Sequence, residues 1–211
     1  MKKALIWDLD GTLLDSYEIY VSSLKETLAE MGVDMQETDI LNYVIIYSVR
    51  DFIAKMAVEL DKPAEEIAKR CSEMNDARKM QIKPIPNAIE LLQEVSNMGI
   101  ANYVYTHKGK STEAVLKNLG MKDFFEEIIT SQSGFARKPS SEAIDYLVEK
   151  YQLDKENTFY VGDRSIDMEC AVNAGIKSIL FLQEGSCGKA TGKEDYIVQD
   201  LLKITEVVKK Y

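Results

Sequence analysis

The chain has 211 residues, 45% apolar and 29% charged, with a formal net charge of −9; it can pack a real core and suits one main domain with a modest insert. Such acidity argues against nucleic acid as a partner, because phosphate backbones are bound by clustered Lys and Arg. It leaves room for a small phosphate ester held in one local pocket.

The chain opens on an apolar strand, residues 3–8, that runs into acid in "ALIWDLDGTLLDS". Residues 16–82 then read as helix after helix. Tyr17, Val21, Leu24, Leu28 and Met31 make one apolar stripe, and Ile53, Met56, Ala57 and Leu60 another. "DKPAEE" predicts a break followed by a Pro-initiated helix. The stiff "KPIP" at 83–86 closes this block. Beyond it, β-rich runs alternate with helical patterns: "ANYVYTH" (101–107), "EEIITS" (126–131), "TFYVGD" (158–163), "IKSILFL" (176–182) and a weaker "YIV" near 197. The helices between them are marked by Ala88, Leu91, Leu92 and Val95, by Thr112, Val115, Leu116 and Leu119, and by Ile144, Leu147, Val148 and Tyr151. Alternating strands and helices predict a Rossmann-like α/β domain with a parallel sheet (1–15 and 83–211), and the helical block (16–82) is an inserted cap.

Cys71, Cys170 and Cys187 lack metal-ligand spacing and read as reduced packing thiols. "MKKALIW" begins like a secretory signal, but its apolar run is cut at Asp8. No stretch approaches membrane-spanning length. The protein is expected to be a cytoplasmic monomer without membrane contact.

In parallel α/β sheets, ligands collect at the carboxyl ends of the strands. The first strand ends on Asp8 and Asp10, and the second on Thr106, followed by His107 and Lys108. Beyond the third comes "GFARKPSS" with Lys138, and the fourth gives "GDRSID" with Asp163 and Asp167. Clustered carboxylates stay ionised only if a cation neutralises them. All-oxygen ligands select a hard ion, and Mg²⁺ is expected. A metal-bound Asp8 can attack phosphorus to give an aspartyl phosphate, with Lys138 offsetting the repulsion between anions. Gly11 permits a tight turn in which it and Thr12 can present backbone amides to the phosphoryl oxygens. Asp10 can protonate the leaving oxygen and later deprotonate a water.

Four stretches in order, "DLDGTLLDS", Thr106, Lys138-Pro139 and "GDRSID" followed by "AVNAG", resemble the haloacid dehalogenase superfamily, in particular its helical-cap phosphatases of the phosphoglycolate phosphatase and β-phosphoglucomutase-like group. The resemblance covers essentially the whole chain. It implies that Asp8 is the nucleophile and a metal ligand, and that Asp10 is the acid/base and binds metal through its backbone carbonyl. It further implies that Thr106 and Lys138 hold the phosphoryl group, while Asp163 and Asp167 complete the metal site, Asp167 directly, through water or by orienting Asp163. The expected activity is Mg²⁺-dependent hydrolysis of a small phosphorylated metabolite. A phosphomutase is the alternative within the superfamily, although Tyr20 stands where the mutase carries a cap histidine. A receiver-like phosphoacceptor is the alternative outside it.

Blander readings apply to single residues. "DLDG" fails as an EF-hand, since Leu13 and Ile19 occupy the positions of the required Gly and Glu. "GDRSID" can also cap a helix through Ser165 or Asp163. His107 is a substrate contact or a hydrogen-bonded loop residue. Arg50 meets the substrate's non-reacting end or is a solvated arginine at a helix start.

Overall fold

Two compact units make up the computed structural model, which describes residues 2–211. One comprises the chain up to Asp15 together with Lys83–Tyr211, the other Ser16–Ile82.

The first unit holds β1 (Lys2–Trp7), β2 (Leu14–Asp15), β3 (Lys83–Pro84), β4 (Ala101–Tyr105), β5 (Glu127–Ile129), β6 (Leu153–Gly162), β7 (Lys177–Phe181) and β8 (Tyr196–Val198). Its helices are α5 (Ala88–Asn97), α6 (Thr112–Asn118), α7 (Glu142–Tyr151), α8 (Ser165–Ala174) and α9 (Lys203–Val208). Six strands form one parallel sheet in the order β5-β4-β1-β6-β7-β8. Side chains alternate along β1. Ala4 and Ile6 pack with Ala143, Ile144 and Leu147 of α7 and with Cys170, Ala171 and Ala174 of α8. Leu5 and Trp7, which take the other face, are equally buried. The Trp7 indole donates to Asn102 Oδ1 at 2.9 Å, so its one polar group is satisfied inside. A strand buried on both faces reads as a continuous apolar run, as "ALIW" does.

Chain order places the site. From β1 the sheet grows through β4 and β5 on one side, and the chain then crosses to β6, β7 and β8 on the other. The reversal falls at β1, and ligands of open α/β sheets bind at such a switch point, beyond the carboxyl ends of the strands.

The second unit is all helical: α1 (Tyr17–Glu30), α2 (Glu37–Ile46), α3 (Val49–Leu60) and α4 (Ala64–Arg78). Val21, Leu24 and Leu28 of α1 share a core with Ile40, Phe52, Met56 and Ile67. Ser48 caps α3 by accepting the Asp51 N–H at 3.0 Å.

Three local features depart from the sequence reading. Pro63 is the N-cap of α4, where its ring fixes φ one residue before the helix proper. β6 begins at Leu153, five residues before "TFYVGD", because Lys2 pairs with Leu153 ahead of a register shift. β2 and β3 form a two-residue antiparallel ribbon at the junction of the two units' sequences.

Candidate active site

Asp8 is the first residue beyond β1, and its N–H still bonds the Val161 carbonyl at 2.9 Å. The ladder thereby fixes its carboxylate, 4% exposed, at the edge of the sheet. The chain then folds back sharply. The Leu9 carbonyl accepts from the N–H groups of Thr12, Leu13 and Leu14 at 3.1, 2.9 and 2.8 Å, and Gly11 N–H donates to the Leu14 carbonyl at 2.9 Å. Gly11 has φ 84°, a conformation that a β-carbon would strain. The amides of Gly11 and Thr12 close this turn on the carbonyls of Leu14 and Leu9. The Thr12 hydroxyl is turned to Asp163 Oδ1 at 3.2 Å.

Three consecutive residues after β4 have three different partners. Thr106, 1% exposed, accepts the Lys108 N–H on Oγ1 at 3.2 Å. His107 Nε2 accepts the Lys138 N–H at 3.0 Å. Lys108 Nζ lies 3.0 Å from Asp10 Oδ1. Since Nε2 is an acceptor, the imidazole is neutral with its proton on Nδ1. Burial, joined by the charges of Lys138, Arg137 and Arg164, pushes its pKa down to about 3.

Lys138 is the electrostatic centre. Its side chain is fully buried, with Nζ 3.1 Å from Asp8 Oδ1 and 2.8 Å from Asp167 Oδ1. The ammonium also lies 5.3 Å and 5.1 Å from the ring centroids of Tyr105 and Tyr160, within range of a cation–π interaction. Its loop is tied down by Tyr105 Oη on the Ala136 carbonyl at 2.9 Å and by Asn173 Nδ2 on the Pro139 carbonyl at 2.8 Å. Burial works against the Lys138 charge, but Asp167 and Asp8 outweigh it and raise the pKa. Asp8 is pushed up, first by burial, with Asp167 and Asp10 adding to it against the pull of Lys138 and Arg164. Asp167 goes the other way. Burial opposes its charge, yet Lys138, Arg164 and its hydrogen bonds together hold it below the ordinary aspartate range.

Asp163 and Asp167 follow β6. Asp167 Oδ2 accepts the Arg164 N–H at 3.1 Å, so the residue that caps α8 is Asp167, with Arg164 as N-cap, and neither Ser165 nor Asp163. Its Oδ1 faces Lys138 and, at 3.5 Å, the Tyr160 hydroxyl. Gly162 makes this possible, because a β-carbon there would overlap the Asp167 side chain. Carboxylate oxygens of Asp8, Asp163 and Asp167 lie within 4.8 Å of one another.

Asp8, Asp10, Thr106, His107, Lys138, Asp163 and Asp167 thus gather at the ends of β1, β4 and β6 and in loops bonded to them. Arg50 belongs to the helical unit, exposed on the first turn of α3. Sequence reasoning placed Lys108 after Thr106 and His107 without giving it a role, and passed over Tyr160. Proximity to Thr106 was the available signal for Lys108, and an aromatic two residues before "GD" the signal for Tyr160. Among the described residues, no helix is long and apolar enough to cross a membrane.

A family profile described as "Haloacid dehalogenase-like hydrolase" matches residues 5–181. A phosphoglycolate phosphatase of Agrobacterium fabrum is 30% identical over 181 residues, covering 82% of this chain and 78% of the relative. A glyceraldehyde 3-phosphate phosphatase of Methanocaldococcus jannaschii is 27% identical over 229 residues, covering 99% and 98%. Among solved structures, a protein described as a predicted phosphoglycolate phosphatase of Haemophilus somnus 129pt superimposes with a TM-score of 0.85 at 20% identity, over 98% of this chain and 97% of that one. This last likeness speaks for the fold.

Proposed function

Because the chain belongs to the haloacid dehalogenase-like hydrolase family, we propose that this phosphatase is Mg²⁺-dependent and hydrolyses a small phosphate monoester through a phosphoaspartate on Asp8. The observation that carries the reading is the buried contact between Asp8 and Lys138, 3.1 Å apart at the end of the central strand.

The acidic cluster suits a hard divalent ion, since its donors are all carboxylate oxygens. Asp8 and Asp163 would hold the ion, joined by the backbone carbonyl of Asp10. Asp167, whose two oxygens already accept from Lys138 and Arg164, would act from behind by fixing the ammonium. When bound, the ion supplies positive charge that screens the attacking carboxylate from the phosphoryl oxygens.

In the first step an Asp8 oxygen forms a bond to phosphorus while the bond to the ester oxygen breaks. That oxygen keeps the electron pair and takes a proton from the Asp10 carboxyl. In the second step a water oxygen attacks the phosphorus and gives a proton to the Asp10 carboxylate. The bond to Asp8 breaks, and inorganic phosphate leaves. Lys138 faces an Asp8 carboxylate oxygen, on which charge changes in both steps, and Thr106 at the end of β4 would bind a phosphoryl oxygen.

The relatives named as phosphatases of phosphoglycolate and of glyceraldehyde 3-phosphate support a small phosphorylated substrate. The helical unit is assigned the role of cap, with Arg50 meeting an anionic group at the substrate's far end. Hydrolysis is favoured over mutase chemistry because the chain's single histidine is His107, outside the helical unit. Asp8→Asn is expected to abolish release of p-nitrophenol from p-nitrophenyl phosphate in Mg²⁺. Retained turnover rejects Asp8 as nucleophile. A parallel screen of phosphometabolites with Arg50→Ala, scored for free phosphate against isomerised product, tests the cap contact and the reaction type.

A further inference from the structure

Lys108 has a buried side chain, 2% exposed, and its ammonium sits 3.0 Å from Asp10 Oδ1, on a carboxylate that is 20% exposed. A charge taken out of water is tolerated only when paired and hydrogen-bonded. The stem is anchored too. Lys108 N–H donates to Thr106 Oγ1 at 3.2 Å, and its carbonyl accepts from Ser131 N–H at 3.1 Å. The next residue is also held, as the Gly109 carbonyl takes the Thr112 hydroxyl at 2.7 Å. With the backbone fixed on both sides, the reach of the ammonium is set, and it grips one oxygen of Asp10 across 98 residues of sequence. The two acids of "DLD" therefore each have a lysine of their own, Lys138 on Asp8 and Lys108 on Asp10.

The geometry points to Lys108 as the positioning residue of the acid/base. By holding Oδ1 it fixes the rotation of the Asp10 carboxyl, so that the proton leaves for the ester oxygen in the first step and returns from water in the second. This rests on the phosphatase reading above and deepens it. Lys108 acts through Asp10 and does not bond to the phosphoryl group.

The test uses 2,4-dinitrophenyl phosphate, whose leaving group needs no proton. Formation of the phosphoaspartate then proceeds without an acid, while its hydrolysis still needs the Asp10 base. Lys108→Gln is expected to lower kcat and KM together, kcat by about 10–100-fold, as suits partial loss of one general base, with kcat/KM held within about threefold. In the Asp10→Asn background, Lys108→Gln is expected to cost nothing further, since a residue that acts only through Asp10 cannot matter once that carboxylate is gone. Equal falls in kcat and kcat/KM, additive losses in the double variant, or no loss at all would each overturn the assignment. Should Lys108→Gln not fold, Lys108→Arg, which keeps a cation but moves the donor, carries the same split between kcat and KM. A wild-type enzyme inert toward the ester would sink the phosphatase reading and this inference with it. Failure of the inference alone appears only in the variants of an active enzyme.

Discussion

His107 makes a prediction whose size follows from the structure. Its imidazole accepts the Lys138 N–H at 3.0 Å and is held at a pKa of about 3, against 6.5 for the free side chain. Protonation in the folded state would turn that acceptor into a donor facing another donor. Below pH 6.5 the unfolded chain therefore takes up a proton that the folded chain refuses, and stability falls as pH falls. This contribution is fully present above the unfolded pKa and is lost progressively toward the folded one. Between pH 6.5 and pH 5 the slope of roughly 1.4 kcal/mol per pH unit gives about 2 kcal/mol; solvent screening of a partly exposed ring reduces it to about 1–2 kcal/mol. His107→Asn keeps a side-chain acceptor and does not titrate in this range. Urea unfolding followed by circular dichroism at pH 7.5, 6.5, 5.5 and 5.0, in EDTA, should show wild type losing that much relative to the variant on acidification. The carboxylates titrate in both proteins and largely cancel in the difference. Parallel curves for the two proteins would refute the half-buried neutral imidazole.

Lys138→Met leaves Asp8 and Asp167 buried beside each other without their shared ammonium, which should cost roughly 3–5 kcal/mol in urea unfolding and abolish turnover. Unchanged stability would mean that water reaches the pair. Gly162→Ala pushes a β-carbon into the Asp167 side chain, with an expected loss of about 1–3 kcal/mol by overpacking and a reduced kcat as Lys138 loses its partner. Wild-type stability and rate in that variant would show that Asp167 moves without consequence.

The parts of this fold legible in the sequence are those governed by periodicity. "ALIW" could be placed at the centre of the sheet because a strand buried on both faces must be uniformly apolar, and the stripe from Tyr17 to Met31 because a 3.6-residue period leaves one helix face buried. The acids of the site were legible because they interrupt strand ends, where charge has no packing role. Partnerships formed by loops were not. Lys108 looks like any solvated lysine until the turn after β4 brings it beside Asp10. His107 bonds a backbone amide 31 residues away, and no side-chain pattern announces a backbone partner. Asp167 was placed beside the metal site by its position after the fourth strand and by the family resemblance; its contacts with Lys138 and Arg164, which depend on how closely Gly162 lets it approach, were not legible.

These loop contacts tie the chemistry to the sheet. Trp7 pairs in register with Val104 on one side and Val161 on the other, so Asp8, Thr106 and Asp163 leave the sheet from adjacent strands at nearly the same height. Each then lies within a few residues of a ladder hydrogen bond, and the offsets between them are set by backbone spacing. Lys138 comes from a longer loop and has no such constraint, and the structure holds it by side-chain contacts instead: His107 at its amide, Asp8 and Asp167 at its ammonium, and Asn173 on the following residue. Where the ladder cannot position a residue of the site, bonds from side chains on neighbouring elements take its place. On the role proposed for Lys138, a substitution at His107, Asp167 or Asn173 is expected to act on turnover through that lysine, even where it touches neither substrate nor metal.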